Sequence, residues 1–192
     1  MKTFISLLLL TTILVSVSSL SMLGIELYDS RKSVEDLNLP IVGKEPGIVK
    51  YRTKNGNDLS VTFENNMVVY MENDWLLQPA GAKPLYSNFT FGKTSLDDIR
   101  KEYGTNGFTY VNRSIYTTET DLIAFNCFEF DSKKNEVLVV ITGVSMADED
   151  VNVDNISKKM KLLAIIIADK AYLDKIWGEE KIFSGNYKKI KP

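Results

Sequence analysis

Asp154 to Trp177 reads DNISKKMKLLAIIIADKAYLDKIW, a stretch without Gly or Pro. Asp154 or Ser157 is suited to cap a helix start, and Gly178 to end one. Ile156, Met160, Leu163, Ile167 and Ala171 recur at 3.6 spacing, with a second apolar row at Leu162, Ile166, Leu173 and Trp177. The spacing predicts one long C-terminal helix over 154–178, packed on a sheet and largely buried because its apolar arc is wide. It is not a membrane span, since the unbroken apolar run is only Leu162 to Ala168, closed in by Lys161 and Asp169.

Working back from this segment, two strand candidates, Ala124 to Phe130 and Val137 to Thr142, flank the polar turn Asp131 to Glu136. An earlier pair, Leu59 to Phe63 and Met67 to Met71, is joined by Glu64-Asn65-Asn66, which favours a tight reversal. Ile48 to Arg52 reads as a strand leading into that hairpin through Lys54 to Asn57. Short helices are expected over Ser30 to Leu37, stopped before Pro40, and over Lys93 to Arg100, capped by Thr94 or Ser95 and ended by Gly104. Ile25 to Tyr28 and Phe89 to Phe91 read as short strands. Gln78 to Pro84, with Pro79, Gly81 and Pro84, carries the strongest linker signal.

At an offset of 62 the two short helices match, Ser33 with Ser95 through Leu37 with Ile99, and the hairpins follow more loosely, with Phe63 against Phe130. The expected organisation is a signal peptide over 1–19, a first α+β repeat over 20–77, a second over 85–145, and the C-terminal helix over 154–178. The fold class is α+β, two short-helix plus antiparallel-hairpin repeats forming a sheet.

Lys32 to Leu37 and Lys93 to Gly104, each followed by its hairpin, give the chain a pattern that resembles the β-lactamase-inhibitor-protein-like architecture. That group includes tandem-repeat secreted inhibitors and small outer-membrane assembly lipoproteins. The resemblance covers about half of the chain beyond residue 19 and implies an exported, non-catalytic module that presents a sheet face to another protein. The chain departs from the group in having no lipid-bearing cysteine, no repeat disulfides and an added C-terminal helix.

Export is read from the N-terminus. Met1-Lys2-Thr3 precedes a mostly apolar run from Phe4 to Val17 and the small, polar cluster Ser18 to Ser21, the order of a signal peptide. Cleavage before Leu20 or before Met22 both satisfy the small-residue rule. The single cysteine, Cys127, lies far from that site, so neither a lipid anchor nor an internal disulfide is expected, and its apolar surroundings suit a small buried hydrophobe. The expected location is periplasmic or secreted, and soluble. Net charge is −2 with both signs interspersed, so nucleic acid is not an expected partner, and no stable membrane insertion is expected once the signal is removed.

The chain contains no histidine, which excludes Ser-His-Asp and Cys-His catalysis and His-based zinc sites. Phosphate-cradling glycine loops are also absent. Carboxylates remain, with Glu72, Asp74, Glu129 and Asp131 as candidates for an acid and base pair. Asp97 and Asp98 suit the first turn of a helix instead. Asp148 to Asp154 places oxygen ligands at alternate positions, but Val153 stands where a calcium loop turns on glycine and Lys159 where it needs glutamate. Phe108, Tyr110, Tyr116, Phe125, Phe128 and Phe130 read mainly as core, and an exposed subset would suit a protein partner.

No catalytic, cofactor-binding or metal-ligating residue is assigned, and no cofactor is expected. The leading expectation is an exported protein-interaction module of the bacterial envelope or secretome, an assembly factor or inhibitor, whose partner is another exported or envelope protein. The alternatives are a carboxylate-dependent hydrolase of envelope glycans and a small-ligand or calcium-binding protein.

Overall fold

Strand after strand in this chain finds an antiparallel neighbour, and one sheet results. A computed structural model describes residues 20–76, 81–132 and 135–191, so the signal-peptide reading over 1–19 and part of the linker at 78–84 lie outside the described residues. The elements in order are β1 (Ser21–Met22), β2 (Ile25–Glu26), α1 (Arg31–Glu35), β3 (Ile41–Glu45), β4 (Ile48–Arg52), β5 (Asp58–Glu64) and β6 (Met67–Asp74). They continue with α2 (Leu96–Tyr103), β7 (Phe108–Tyr110), β8 (Ile115–Thr117), β9 (Asp121–Glu129), β10 (Glu136–Ser145), α3 (Ile156–Lys159), β11 (Lys161–Asp169), α4 (Lys170–Trp177) and β12 (Lys181–Phe183). The main sheet has 10 strands in the order β12-β7-β9-β10-β11-β6-β5-β4-β3, with β8 also paired to β9.

The long C-terminal helix is not there. Its stretch divides into α3, β11 and α4, and β11 is a central strand between β10 and β6. The misreading has a physical cause. A strand buried on both faces carries no alternation and shows only a continuous apolar run, which periodicity alone cannot tell from a buried helix. Leu162, Ala164, Ile165, Ile166, Ile167 and Ala168 are all buried, with Ile165 and Ile167 in the core on one face and Ile166 in the core on the other. Three consecutive β-branched isoleucines fit that environment better than a helix. The helix that does end before Gly178 is the short α4, whose N-cap Asp169 accepts a bond from the Tyr172 N–H at 2.9 Å.

The hairpins read from sequence form as expected. Asn65 and Asn66 both adopt positive φ, as the tight β5–β6 turn requires. β9 and β10 pair through nine residues about the turn after Glu129. The expected strand at 89–91 does not form. Phe91 enters the core from a loop, stacked on Trp75 with centroids 6.4 Å apart, and its N–H donates to Ala82. The strand read over Ile25 to Tyr28 stops at Glu26, paired with β1.

One local construction occurs twice. Ser30 caps α1 and forms an isolated antiparallel bridge with Met67, the first residue of β6; Ser95 caps α2 and forms the same bridge with Lys161, the first residue of β11. Around each bridge, the first helical N–H donates to the residue before the strand, Arg31 to Asn66 and Leu96 to Met160. Four residues after each serine a buried apolar side chain, Val34 or Ile99, enters the same core. The matching serines are therefore Ser30 and Ser95, at an offset of 65 rather than 62, and the matching strands are β6 and β11 rather than the β5–β6 and β9–β10 hairpins. β6 and β11 pair with each other at the middle of the sheet.

The sheet separates two cores. α1, α2 and the β1–β2 hairpin close the first face over residues such as Leu59, Val61, Val140 and Ile165. On the second face, Leu173 of α4 packs with Phe125, Cys127, Val139 and Ile166. Asp174 ties this layer down by accepting from Tyr110 Oη at 2.7 Å and from the nearly buried Lys181 ammonium at 2.6 Å.

Candidate functional site

The second face changes character at β6. Successive side chains on a strand alternate between faces, so cross-strand partners share one face. The registers Lys50–Ser60–Glu72–Ile166 and Arg52–Asp58–Asp74–Ala164 then form two adjacent rows across β4, β5, β6 and β11. The rows are apolar under α4 and charged beyond it.

Within the charged part, Arg52 Nε meets Asp58 Oδ1 at 2.6 Å, and Tyr70 Oη donates to Glu72 Oε2 at 2.6 Å. Burial, followed by the charge of Glu72 and a hydrogen bond to it, pushes the Asp74 carboxyl up to about 7 against the opposing pull of Lys50. Two carboxyls in contact hold a proton between them because both cannot ionise cheaply at such range. Burial and the Glu72 carboxylate also raise the Tyr70 hydroxyl well above its ordinary range, which keeps it a donor.

Of the four carboxylates singled out from sequence, the fold brings together only Glu72 and Asp74. Glu129 lies on β9, with β10 and β11 between it and β6. Burial alone would raise its carboxyl, but Tyr187 Oη at 2.7 Å and Lys189 Nζ at 2.9 Å outweigh that and hold it low. Asp131 stands exposed at the turn beyond β9, its N–H bonded to Ile190. The helix acids do what their position suggests. Asp98 completes a capping box with Ser95, whose donors lower it, and Asp97 pairs with Lys101 at 2.8 Å.

In the acidic loop, Lys159 reaches back to Asp148 at 3.1 Å and lies 4.0 Å from Asp150. An ammonium thus stands among the oxygens a cation would need. No group of three or more ligating side chains able to hold a metal ion occurs among the described residues.

Cys127 is fully buried, and burial raises its thiol far above the ordinary range. Phe108, Tyr110, Phe125, Phe128 and Phe130 are buried as well; Tyr116 alone of the six stands exposed.

The first face holds a feature that the sequence reading missed. A cavity of about 200 Å³ lies between α2, α3 and β9, lined by Leu96, Arg100, Asn126, Ile156 and Met160 among others. From sequence, Arg100 is only the last residue of the helix expected over Lys93 to Arg100. The one legible signal was Asn126, a polar residue inside the apolar run Leu122 to Phe128.

Among the described residues no helix is long and apolar enough to cross a membrane. Compared with protein-family models, with curated proteins and with solved structures, the chain matches none.

Proposed function

We propose that the chain is an exported, non-catalytic protein-interaction module that engages another exported or envelope protein through the charged part of its second sheet face. The observation that carries this reading is the placement of Lys50, Arg52, Asp58, Glu72 and Asp74 in adjacent rows of three neighbouring strands. Lys50 and Arg52 stand exposed there. A patterned two-signed surface selects a partner by complementary charge and fixes its register. The matching partner sets acidic groups against Lys50 and Arg52 and a hydrogen-bond donor against the Glu72–Asp74 pair.

A carboxylate-dependent hydrolase is the weaker reading. Glycoside hydrolysis needs carboxyls roughly 5 to 9 Å apart with the scissile bond between them, whereas Glu72 and Asp74 hydrogen-bond to each other.

The test is capture from envelope extract by the wild-type chain and by the double charge reversal K50E/R52E, at low and high salt. Support is one protein captured by the wild type, released as salt rises, and lost in the reversal. Capture unaffected by the reversal, or repeated capture of nothing, overturns the reading.

A further inference from the structure

We propose that the cavity between α2, α3 and β9 binds a small carboxylate with a short apolar body. The inference is independent of the interaction surface above, since the cavity lies on the opposite face of the sheet.

Arg100 carries the argument. It is partly buried one turn after Leu96 on α2, and both residues line the cavity. Its Nε is buried without a hydrogen-bond partner. Asp97 is the opposing charge that acts on it, but that carboxylate is paired with Lys101 at 2.8 Å. A guanidinium whose Nε is buried without a partner is suited to bidentate recognition of a carboxylate.

The remaining lining fits the same ligand. Asn126, only 4% exposed, lines the cavity from the middle of β9 and brings a carboxamide to it. Thr109, Ser114 and Ser157 bring hydroxyls to the lining. Leu96, Ile115, Ala124, Ile156 and Met160 form the apolar wall, and no Asp or Glu is present to repel an anion.

Size narrows the class. A cavity of about 200 Å³ holds roughly six or seven water-sized groups at about 30 Å³ each. That admits a butyrate-to-benzoate range. A bare inorganic anion would leave the apolar wall unused.

The experiment titrates the purified protein with hexanoate, benzoate, their alcohol counterparts and inorganic phosphate, following the Asn126 side-chain amide by NMR and affinity by calorimetry. The expected result is carboxylate binding at least about tenfold tighter than that of the alcohols or phosphate, with the Asn126 signal shifting. R100Q should weaken carboxylate binding at least about tenfold, the scale of one charge-assisted bond, without lowering the melting temperature. Ser157→Leu, a substitution on the short α3, should fill part of the cavity and abolish binding while keeping Arg100, which covers the case in which R100Q fails to fold. No carboxylate binding up to about 10 mM, tenfold above the roughly millimolar affinity suited to so small a ligand, overturns the proposal. So does equal binding of the alcohols, or affinity unchanged in both variants.

Discussion

Asp74 opposes folding at neutral pH. Its carboxyl titrates at about 7 in the fold against an ordinary 3.8, because burial and then Glu72 disfavour its charged form. Between those two values the folded chain holds a proton that the unfolded chain has released, so stability falls as pH rises from about 4 to about 7 and is level above. The effect is on the order of 1–3 kcal/mol. Asp74→Asn keeps a donor for Glu72 and removes the charge. Its melting temperature should exceed wild type at pH 8, with the difference shrinking toward pH 4; a difference independent of pH would refute this. From sequence the strand closes at Met71, and Glu72 and Asp74 stand only as candidate carboxylates; β6 runs on to Asp74 and puts both on one face, where burial and then Glu72 raise the Asp74 carboxyl. Other single residues were legible for simpler reasons: Cys127 sits in an apolar run, and a thiol there packs as a hydrophobe. Gly107 was not, for its need arises from a neighbour distant in sequence. It has φ +68, and a Cβ there would collide with the carbonyl oxygen of Cys127.

At the scale of elements, local signals succeeded wherever a local interaction decides the structure. The α2 cap is one such case, because Ser95 and Asp98 satisfy each other's backbone amides within four residues. Ser95→Ala should cost about 1 kcal/mol in urea unfolding, and a change below a few tenths would show that the bridge to Lys161 holds the helix start without the cap. The β5–β6 turn is another, set by two asparagines that tolerate positive φ. β11 was misread because the information that makes it a strand is not in it. Its apolar run suits any buried element; β10 on one side and β6 on the other supply the backbone partners. The offset of 62 failed in a related way, since comparable amphipathic turns align several ways until the bridges Ser30–Met67 and Ser95–Lys161 pick out one.

Across the whole molecule, burial is greatest in three central strands. β9, β10 and β11 are sandwiched between the two cores, while the edges differ. β3 is mostly exposed, framed by Pro40 and Pro46 and irregular in register between Ile41 and Gly43, features that blunt an edge against further pairing. β12 is only three residues long, with Ile182 and Phe183 exposed. Amides at the centres of β10 and β11 should therefore exchange with solvent only on global unfolding, and those of β3 and β12 at least about a hundredfold faster. Hydrogen exchange read by mass spectrometry checks this ranking, and equal protection at the edges and the centre would contradict it.

By itself the sequence determined the absence of histidine chemistry and of phosphate-cradling loops, the β4–β5–β6 and β9–β10 strands, the β5–β6 turn, and the short helices α1 and α2, the second with its capped start. Each of these depends on residue type or on contacts within a few positions. The tertiary structure alone decided that 154–178 contains a central strand, that β6 and β11 pair at the middle of the sheet, that Glu72 and Asp74 lie together on a charged face, and that Arg100 and Asn126 line one cavity. Those features arise from groups far apart in the chain, whose pairing is selected by the burial of two faces at once rather than by any local preference.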